Sequence, residues 1–120
     1  MRLTKLAYAS HHGGVDKKSL DDIMISSRRN NERDNITGVL ISGEEDFMQY
    51  IEGGHTVIAK CFMRIMQDIR HQHIRILFAG AAEFRVCPQW TLQEVKESSR
   101  EERIISQYWI GGKFDPDEMF

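Results

Sequence analysis

The stretch "NITGVLISGEEDFMQYIEGG", residues 35–54, contains two runs of alternating apolar residues joined by a short polar connection. Because "GEED" leaves room only for a tight turn, the two runs are predicted to form an antiparallel hairpin. Successive side chains of a strand face opposite sides, so Gln49 shares a face with Phe47 and Ile51. A buried amide without a hydrogen-bond partner costs about 1–3 kcal/mol. Gln49 is therefore expected to have a partner on that face.

The segments around this hairpin add a strand and a helix before it, and a helix and two strands after it. The helices are placed where apolar residues recur every three or four positions, and Ser19 is predicted as the N-cap of the first helix. Pro88 is expected to disturb the last strand. The predicted elements are strands at 2–10, 35–42, 46–53, 73–83 and 85–95, with helices at 19–31 and 56–70.

The element order βαββαββ predicts a ferredoxin-like α+β sandwich. Its sheet is expected to be five-stranded and mixed, with both helices on one face. Strands one and three are expected as parallel neighbours at the centre, linked through right-handed crossovers. Tyr8 and Gln49 would then lie side by side on the inward face, within hydrogen-bonding reach. A self-contained Tyr–Gln pair in an ordinary core is one interpretation, and a pair that binds a third group is the other.

The C-terminal tail has a helical pattern of its own. Ser99 and Glu102 form a capping box, and an apolar stripe follows over 104–109. The outward positions of the first three strands are also apolar and need cover: Ala7, Ala9, Val39, Ile41, Met48 and Tyr50. We expect a domain at 1–97, a C-terminal helical extension at 98–120 that packs on this outer face or on a partner, and a homo-oligomer.

Composition argues against several classes of function. The chain has 120 residues and a formal net charge of −2, so it has no basic excess to neutralise nucleic-acid phosphates. No run approaches about 18 apolar residues, and no membrane span is expected. Cys61 and Cys87 form no metal or redox motif and are interpreted as reduced thiols, which is typical of an intracellular, cytoplasmic protein. The histidines lack metal-ligand spacing, and no metal is predicted.

Several stretches in this order together resemble the BLUF family of flavin-binding blue-light sensors. The similarity covers residues 2 to about 95. The stretches are "LAYAS" with Tyr8, "SSRRNNERDNITGVL" with Ser27 and Asn31, "FMQYIEG" with Gln49, "IMQDIRH" with Asp68, Arg70 and His71, and "RVCPQWTL" with Arg85 and Trp90.

The resemblance implies a noncovalent flavin between the two helices, usually FAD, with FMN or riboflavin as alternatives. Gln49 would bridge the Tyr8 hydroxyl and the N5/O4 edge of the ring, and Asn31 would bind its pyrimidine edge. Ile23 and Ile65 would enclose the ring from the two helices. The cofactor-binding residues implied by the resemblance are Tyr8, Ile23, Ser27, Asn30, Asn31, Gln49, Ile65, Asp68, Arg70 and His71.

The residues alone leave other roles open for some of this set. Asn30 and Asn31 also fit the C-cap of the first helix, because asparagine tolerates left-handed backbone. Asp68, Arg70 and His71 also fit the polar end of the second helix, where basic groups complement the helix dipole.

The resemblance further implies a photoreceptor that acts as a switch, and not an enzyme. After blue-light excitation the flavin would take an electron and a proton from Tyr8. Return of the proton would leave Gln49 rotated or tautomerised and bonded more strongly to flavin O4, which shifts absorption to the red. Trp90 would be a competing electron donor or a packing reporter that moves with strand five, or it is simply a large core residue. The signal would pass through strand five and the extension to an unidentified downstream protein or an oligomer change.

Two residues depart from the family pattern. Leu92 stands where a methionine is usual, which removes a thioether contact near Gln49, and Cys87 stands where phenylalanine is usual. Both changes concern signal relay more than flavin binding. The alternative function is a ferredoxin-like binding or interaction module without light chemistry. A small acyl- or phosphoryl-transfer enzyme comes third, because no nucleophile–base pair or anion-binding loop is evident.

Overall fold

The computed structural model describes residues 2–14, 16–43, 45–68, 72–89 and 91–96. The elements are β1 (Leu3–His11), α1 (Lys17–Asp34), β2 (Thr37–Ser42), β3 (Asp46–Gly54), α2 (His55–Gln67), β4 (Gln72–Ala82) and β5 (Gln93–Lys96). This order confirms the predicted α+β class. The predicted C-terminal helix and the extension at 98–120 lie outside the described residues.

The sheet has the strand order β4-β1-β3-β2-β5. The pairs β4–β1, β1–β3 and β3–β2 are antiparallel, so the predicted hairpin of β2 and β3 is confirmed. β1 and β3 are central neighbours, but the expectation that they run parallel was wrong. Both β1 and β2 are antiparallel to β3, which lies between them. The crossover through α1 therefore joins the parallel, non-adjacent strands β1 and β2.

The last predicted strand, at 85–95, was wrong over most of its length. Only Gln93–Lys96 are extended in the sheet, and they pair in parallel with β2. Pro88 has no backbone N–H to give to a ladder. The N–H groups of Val86 and Cys87 bind the Glu52 carboxylate instead of a neighbouring strand.

The ends of both helices differ from their predicted positions. The N-cap of α1 is Asp16, whose carboxylate accepts from the Ser19 N–H at 2.8 Å, so the prediction of Ser19 as the cap was wrong. The helix ends at Asn35, a left-handed residue with φ 55°. The capping roles suggested for Asn30 and Asn31 were therefore also wrong, because both lie inside α1.

The second helix stops at Gln67, three residues before the predicted end. Asp68 follows in extended backbone, with its N–H bonded to the Ile65 carbonyl. Among the described residues, no helix combines the length and apolar composition needed to cross a bilayer.

Both helices pack on the same face of the sheet, as predicted. The strand positions opposite each other in the register, Tyr8 with Gln49 and Gln49 with Leu40, share this face. One core cluster joins β1 and β3 to α2, and the other joins β2 and β3 to α1. Their buried members are Leu6, Tyr8, Ile36, Ile51, Ile58, Cys61 and Phe62 in the first, and Ile23, Met24, Leu40, Phe47 and Leu92 in the second.

Candidate functional site

A cleft lies between α1 and α2 above the centre of the sheet. It encloses about 630 Å³, including the part that is open to solvent. Its lining residues are Ile23, Ser26, Ser27, Asn30, Asn31, Leu40, Gln49, Cys61, Arg64, Ile65 and Asp68.

Tyr8 and Gln49 meet at the sheet side of this cleft. They are directly opposite in the antiparallel register of β1 and β3, and the Tyr8 hydroxyl donates to the Gln49 side-chain carbonyl. Tyr8 is fully buried and Gln49 is 5% exposed. The bond uses the Oε1 end of the amide. The Nε2 end can still donate to a third group, and Gln49 borders the cleft.

The surroundings of Tyr8 keep its phenol neutral. Burial raises the pKa of Tyr8 well above its ordinary value, and the nearby Cys61 and Asp68 raise it further. Its ring packs against Phe62, with the centroids 5.6 Å apart. At neutral pH the Tyr8 hydroxyl therefore keeps its proton and remains the hydrogen-bond donor to Gln49.

The residues that α1 contributes to the cleft recur at the spacing of helical turns. Ile23, Ser27 and Asn30 are spaced by four and three residues, so they share one face of the helix. Ile65 borders the cleft from α2. The predicted residues Ile23, Ser27, Asn30, Asn31, Gln49, Ile65 and Asp68 all line it, whereas Arg70, His71 and Trp90 lie outside the described residues.

Sequence reasoning missed two polar residues of the lining. Ser26 lies three positions after Ile23, and Arg64 lies three positions after Cys61. The same helical spacing that identified their neighbours could have found both. Arg64 also forms an ion pair with Asp34, with 3.4 Å between Nη2 and Oδ2.

Asn31 is the most buried polar residue of α1, at 1% exposed. Its Nδ2 donates to the Thr91 carbonyl at 3.0 Å, and the amide borders the cleft. One turn earlier, Arg28 Nε donates to the Leu92 carbonyl at 3.1 Å. Asn31 and Arg28 thus connect α1 to the two residues that precede β5.

Glu52 is another polar residue whose role sequence reasoning missed, and it lies outside the cleft. It lies on the opposite sheet face from Gln49, with no exposed surface. Its carboxylate accepts from the N–H groups of Val86 (2.8 Å) and Cys87, and from the Tyr50 (3.0 Å) and Thr37 (3.3 Å) hydroxyls. The signal available in the sequence was a carboxylate on the same strand face as Met48 and Tyr50.

Arg85, the residue before Val86, adds further hydrogen bonds to the same region. Its guanidinium donates to Thr37 Oγ1 at 2.8 Å, to the Glu52 carbonyl at 3.2 Å and to the Asn35 carbonyl at 2.7 Å. The turn after β4 is therefore fixed to the ends of β2 and β3.

Both cysteines are free thiols, in agreement with the prediction of reduced cysteines. Burial raises the pKa of Cys61, and burial together with the Glu52 charge raises the pKa of Cys87 to about 11. Both therefore remain protonated at neutral pH and are poor nucleophiles. Within the described ranges, His, Cys, Asp and Glu form no group of three that could hold a metal ion.

Comparison with known proteins identifies the family of this fold and cleft. The BLUF family, described as "Sensors of blue-light using FAD", matches residues 3–93. Among solved structures, the dark state of BlrB, a BLUF protein, superposes with a TM-score of 0.79 at 31% sequence identity, covering 88% of this chain and 79% of that one.

Two curated relatives carry the same region within longer proteins. Photoactivated adenylate cyclase subunit beta of Euglena gracilis is 32% identical over 97 residues, which are 79% of this chain and 11% of that protein. The blue light- and temperature-regulated antirepressor BluF of Escherichia coli K12 is 34% identical over 85 residues, which are 69% of this chain and 21% of that protein. The chain thus spans about a tenth to a fifth of the length of these relatives.

Proposed function

Since this chain belongs to the BLUF family of blue-light sensors that use FAD, we propose that the Tyr8–Gln49 pair carries its light response. The observation that supports this most directly is the hydrogen bond from the buried Tyr8 hydroxyl to Gln49 at the border of the cleft. A glutamine that only satisfied a buried tyrosine would not need to border an open cleft, as Gln49 does.

The residues of the cleft fit a flavin. The isoalloxazine ring is flat, with large apolar faces and a polar edge, and Ile23 and Ile65 offer apolar side chains from the two helices. The amides of Gln49 and Asn31 can each donate and accept, as the polar edge of the ring requires. Ser27, Asn30 and Asp68 would contact the more polar parts of the cofactor. FAD is the family cofactor, and the cleft alone does not distinguish it from FMN or riboflavin.

The chemistry begins at the Tyr8 hydroxyl. When bound, a flavin absorbs blue light and in its excited state is a strong oxidant of a neighbouring phenol. Tyr8 would give one electron to the excited flavin, and its Oη proton would move along the existing hydrogen bond to Gln49 Oε1 while Gln49 Nε2 released a proton toward the cleft. Because burial strongly disfavours a charged side chain at this position, electron and proton must leave and return together.

The lasting change is in the Gln49 side chain. Relay of a proton through the amide would leave Gln49 rotated or tautomerised once Tyr8 has regained its electron and a proton, and the hydrogen bonds around the amide would then be different. The amide then presents a different group to the cleft, which accounts for the expected red shift. No substrate is consumed, and the dark arrangement returns thermally. This mechanism makes the domain a sensor that resets itself.

We further propose that the output passes through residues 91–96 to the extension at 98–120. On the outer sheet face, Ala7, Ala9, Ile41 and Met48 are at most 2% exposed, which supports cover over that face. In the named relatives the sensor region belongs to a cyclase subunit or an antirepressor. For this chain we favour a separate cytoplasmic partner or a change of homo-oligomer as the output, and Trp90 as a residue that moves with the signal.

Absorption spectra of the purified protein, in the dark and after blue light, test this function. We expect flavin bands in the dark, a red shift under illumination, and thermal return to the dark spectrum. A colourless protein, or a flavin-bound protein without a shift, would favour the alternative of a binding module without light chemistry.

A further inference from the structure

Two hydrogen bonds join α1 to the backbone just before β5. Asn31 donates to the Thr91 carbonyl and Arg28 donates to the Leu92 carbonyl, at 3.0 and 3.1 Å. The two donors are three residues apart and lie on neighbouring positions of one helix face. We call Thr91 and Leu92 the docking segment.

The docking segment is also packed against the wall of the cleft. The Leu92 side chain is 4% exposed and belongs to the core cluster that contains Ile23 and Leu40. Ile23 and Leu40 line the cleft, as does Asn31 itself. The position of the docking segment therefore affects the same side chains that a ligand in the cleft would contact.

The Asn31 amide can connect the cleft with the docking segment. A primary amide has two N–H donors and one carbonyl acceptor in a single rigid plane. One donor is used by the Thr91 carbonyl, and the amide borders the cleft. A partner that fixes this plane from the cleft also fixes the direction of the N–H toward Thr91.

The segment that leads into the docking segment begins near Val86 and Cys87, and these residues are held by a separate set of hydrogen bonds. Glu52 binds the Val86 and Cys87 N–H groups, and Arg85 binds three oxygens at the ends of β2 and β3. Neither Glu52 nor Arg85 lines the cleft. A change at Asn31 would thus act on the Thr91 end while the Val86 end stays in place.

We propose that flavin in the cleft and the docked state of Thr91 and Leu92 stabilise each other through Asn31, and that Arg28 is a positioning residue for this coupling. The proposal deepens the proposed function, since it assumes that the cleft takes a flavin. Coupling of two equilibria is reciprocal. Loosening the docking segment must therefore weaken flavin binding, even through a residue outside the cleft.

Arg28 gives the sharpest test because it does not line the cleft. Arg28→Met keeps the length of the apolar stem and removes the donor to Leu92, and Arg28→Lys restores a cationic donor. The matched control is Arg29→Met, which removes an exposed guanidinium from the next position. Flavin release in the dark and amide hydrogen exchange of residues 91–96 are measured for each variant.

We expect Arg28→Met to release flavin about threefold to tenfold faster than the native protein, the scale of one lost hydrogen bond. Arg28→Lys should recover part of the loss, and Arg29→Met should behave as the native protein does. Added flavin should slow exchange of residues 91–96 in the native protein, and this protection should shrink in Arg28→Met and disappear in Asn31→Ala at saturating flavin. A merely structural role for Arg28 would lower stability without changing the protection that flavin gives.

Native release rates in Arg28→Met, or exchange of residues 91–96 that does not respond to flavin in the native protein, would overturn the coupling. Both measurements are made in the dark. A protein that binds flavin but shows no red shift would contradict the proposed function and leave these measurements interpretable.

Discussion

The Tyr8 hydroxyl and the Gln49 side-chain carbonyl are hydrogen-bonded between facing positions of β1 and β3, beneath the two helices. The antiparallel register brings the two side chains together directly, and both are buried. This pair lies among mostly apolar residues of that face, at the point where the cleft reaches the sheet.

Gln49→Leu should retain flavin and lose the red shift. Leucine keeps much of the volume of the side chain but has no amide to rearrange, so the final step of the switch is missing. Gln89→Leu, at an exposed position of the turn, is the matched control and should respond to light normally. Absorption difference spectra measure both variants. A native red shift in Gln49→Leu would exclude Gln49 as the rearranging group.

The alternation of the two runs at 35–54 was enough to predict the β2–β3 hairpin. It also predicted the face of Gln49, because odd and even positions of a strand point to opposite sides of the sheet. The walls of the cleft followed from helical spacing in the same way. Family resemblance supplied what spacing could not: that the space between Ile23 and Ile65 would take a flavin.

Contacts between distant parts of the chain were not predictable. The bond from Asn31 to Thr91 joins residues 60 positions apart, and that from Val86 to Glu52 joins residues 34 apart. No local pattern encodes such a contact. The relative direction of β1 and β3 was predictable, by contrast, and the prediction missed it. A crossover through a helix makes β1 and β2 parallel, and the β2–β3 hairpin then makes β3 antiparallel to β1.

Glu52→Ala should lower the free energy of unfolding by about 1–3 kcal/mol, since it leaves several partly buried donors without their acceptor. The loss should fall on the turn at 86–87, and the red shift should survive because Tyr8 and Gln49 are on the opposite face. Glu83→Ala, at an exposed position of the same turn region, should change stability little. Urea unfolding measures both. Equal stability of the two variants would mean that the Glu52 carboxylate does not anchor the turn.

Stability should fall at alkaline pH partly because of Tyr8. Its pKa is raised in the folded protein, so above about pH 10 the unfolded chain releases a proton that the folded chain retains. The contribution is fully present below about pH 10 and is lost as pH rises toward the folded pKa.

Tyr8→Phe has no such proton. The difference in unfolding free energy between the native protein and Tyr8→Phe should shift in favour of the variant as pH rises from about 9 to 11, by at most about 1.4 kcal/mol per pH unit. Cys87, with a pKa of about 11, titrates in both proteins and cancels in the difference. A difference that stays constant over this range would show that Tyr8 ionises as readily in the folded protein as in the unfolded chain.

Deleting residues 99–120 should leave flavin binding and the red shift largely intact, because the cleft is formed by residues 23–68. We expect lower solubility or a different oligomeric state, because we propose that the extension covers apolar positions of the outer sheet face. Light scattering coupled to size-exclusion chromatography measures the oligomer. A truncated protein that stays soluble and keeps its oligomeric state would mean that something other than the extension covers this face.

The most direct test of the proposed switch is the light-minus-dark absorption spectrum of Tyr8→Phe. This variant loses only a hydroxyl and should bind flavin as the native protein does. Tyr50→Phe is the control, because it removes a hydroxyl from the next strand on the opposite face, where it donates to Glu52. We predict no red shift in Tyr8→Phe and a native red shift in Tyr50→Phe. A red shift of native size and yield in Tyr8→Phe would contradict the role of Tyr8 as the electron and proton donor.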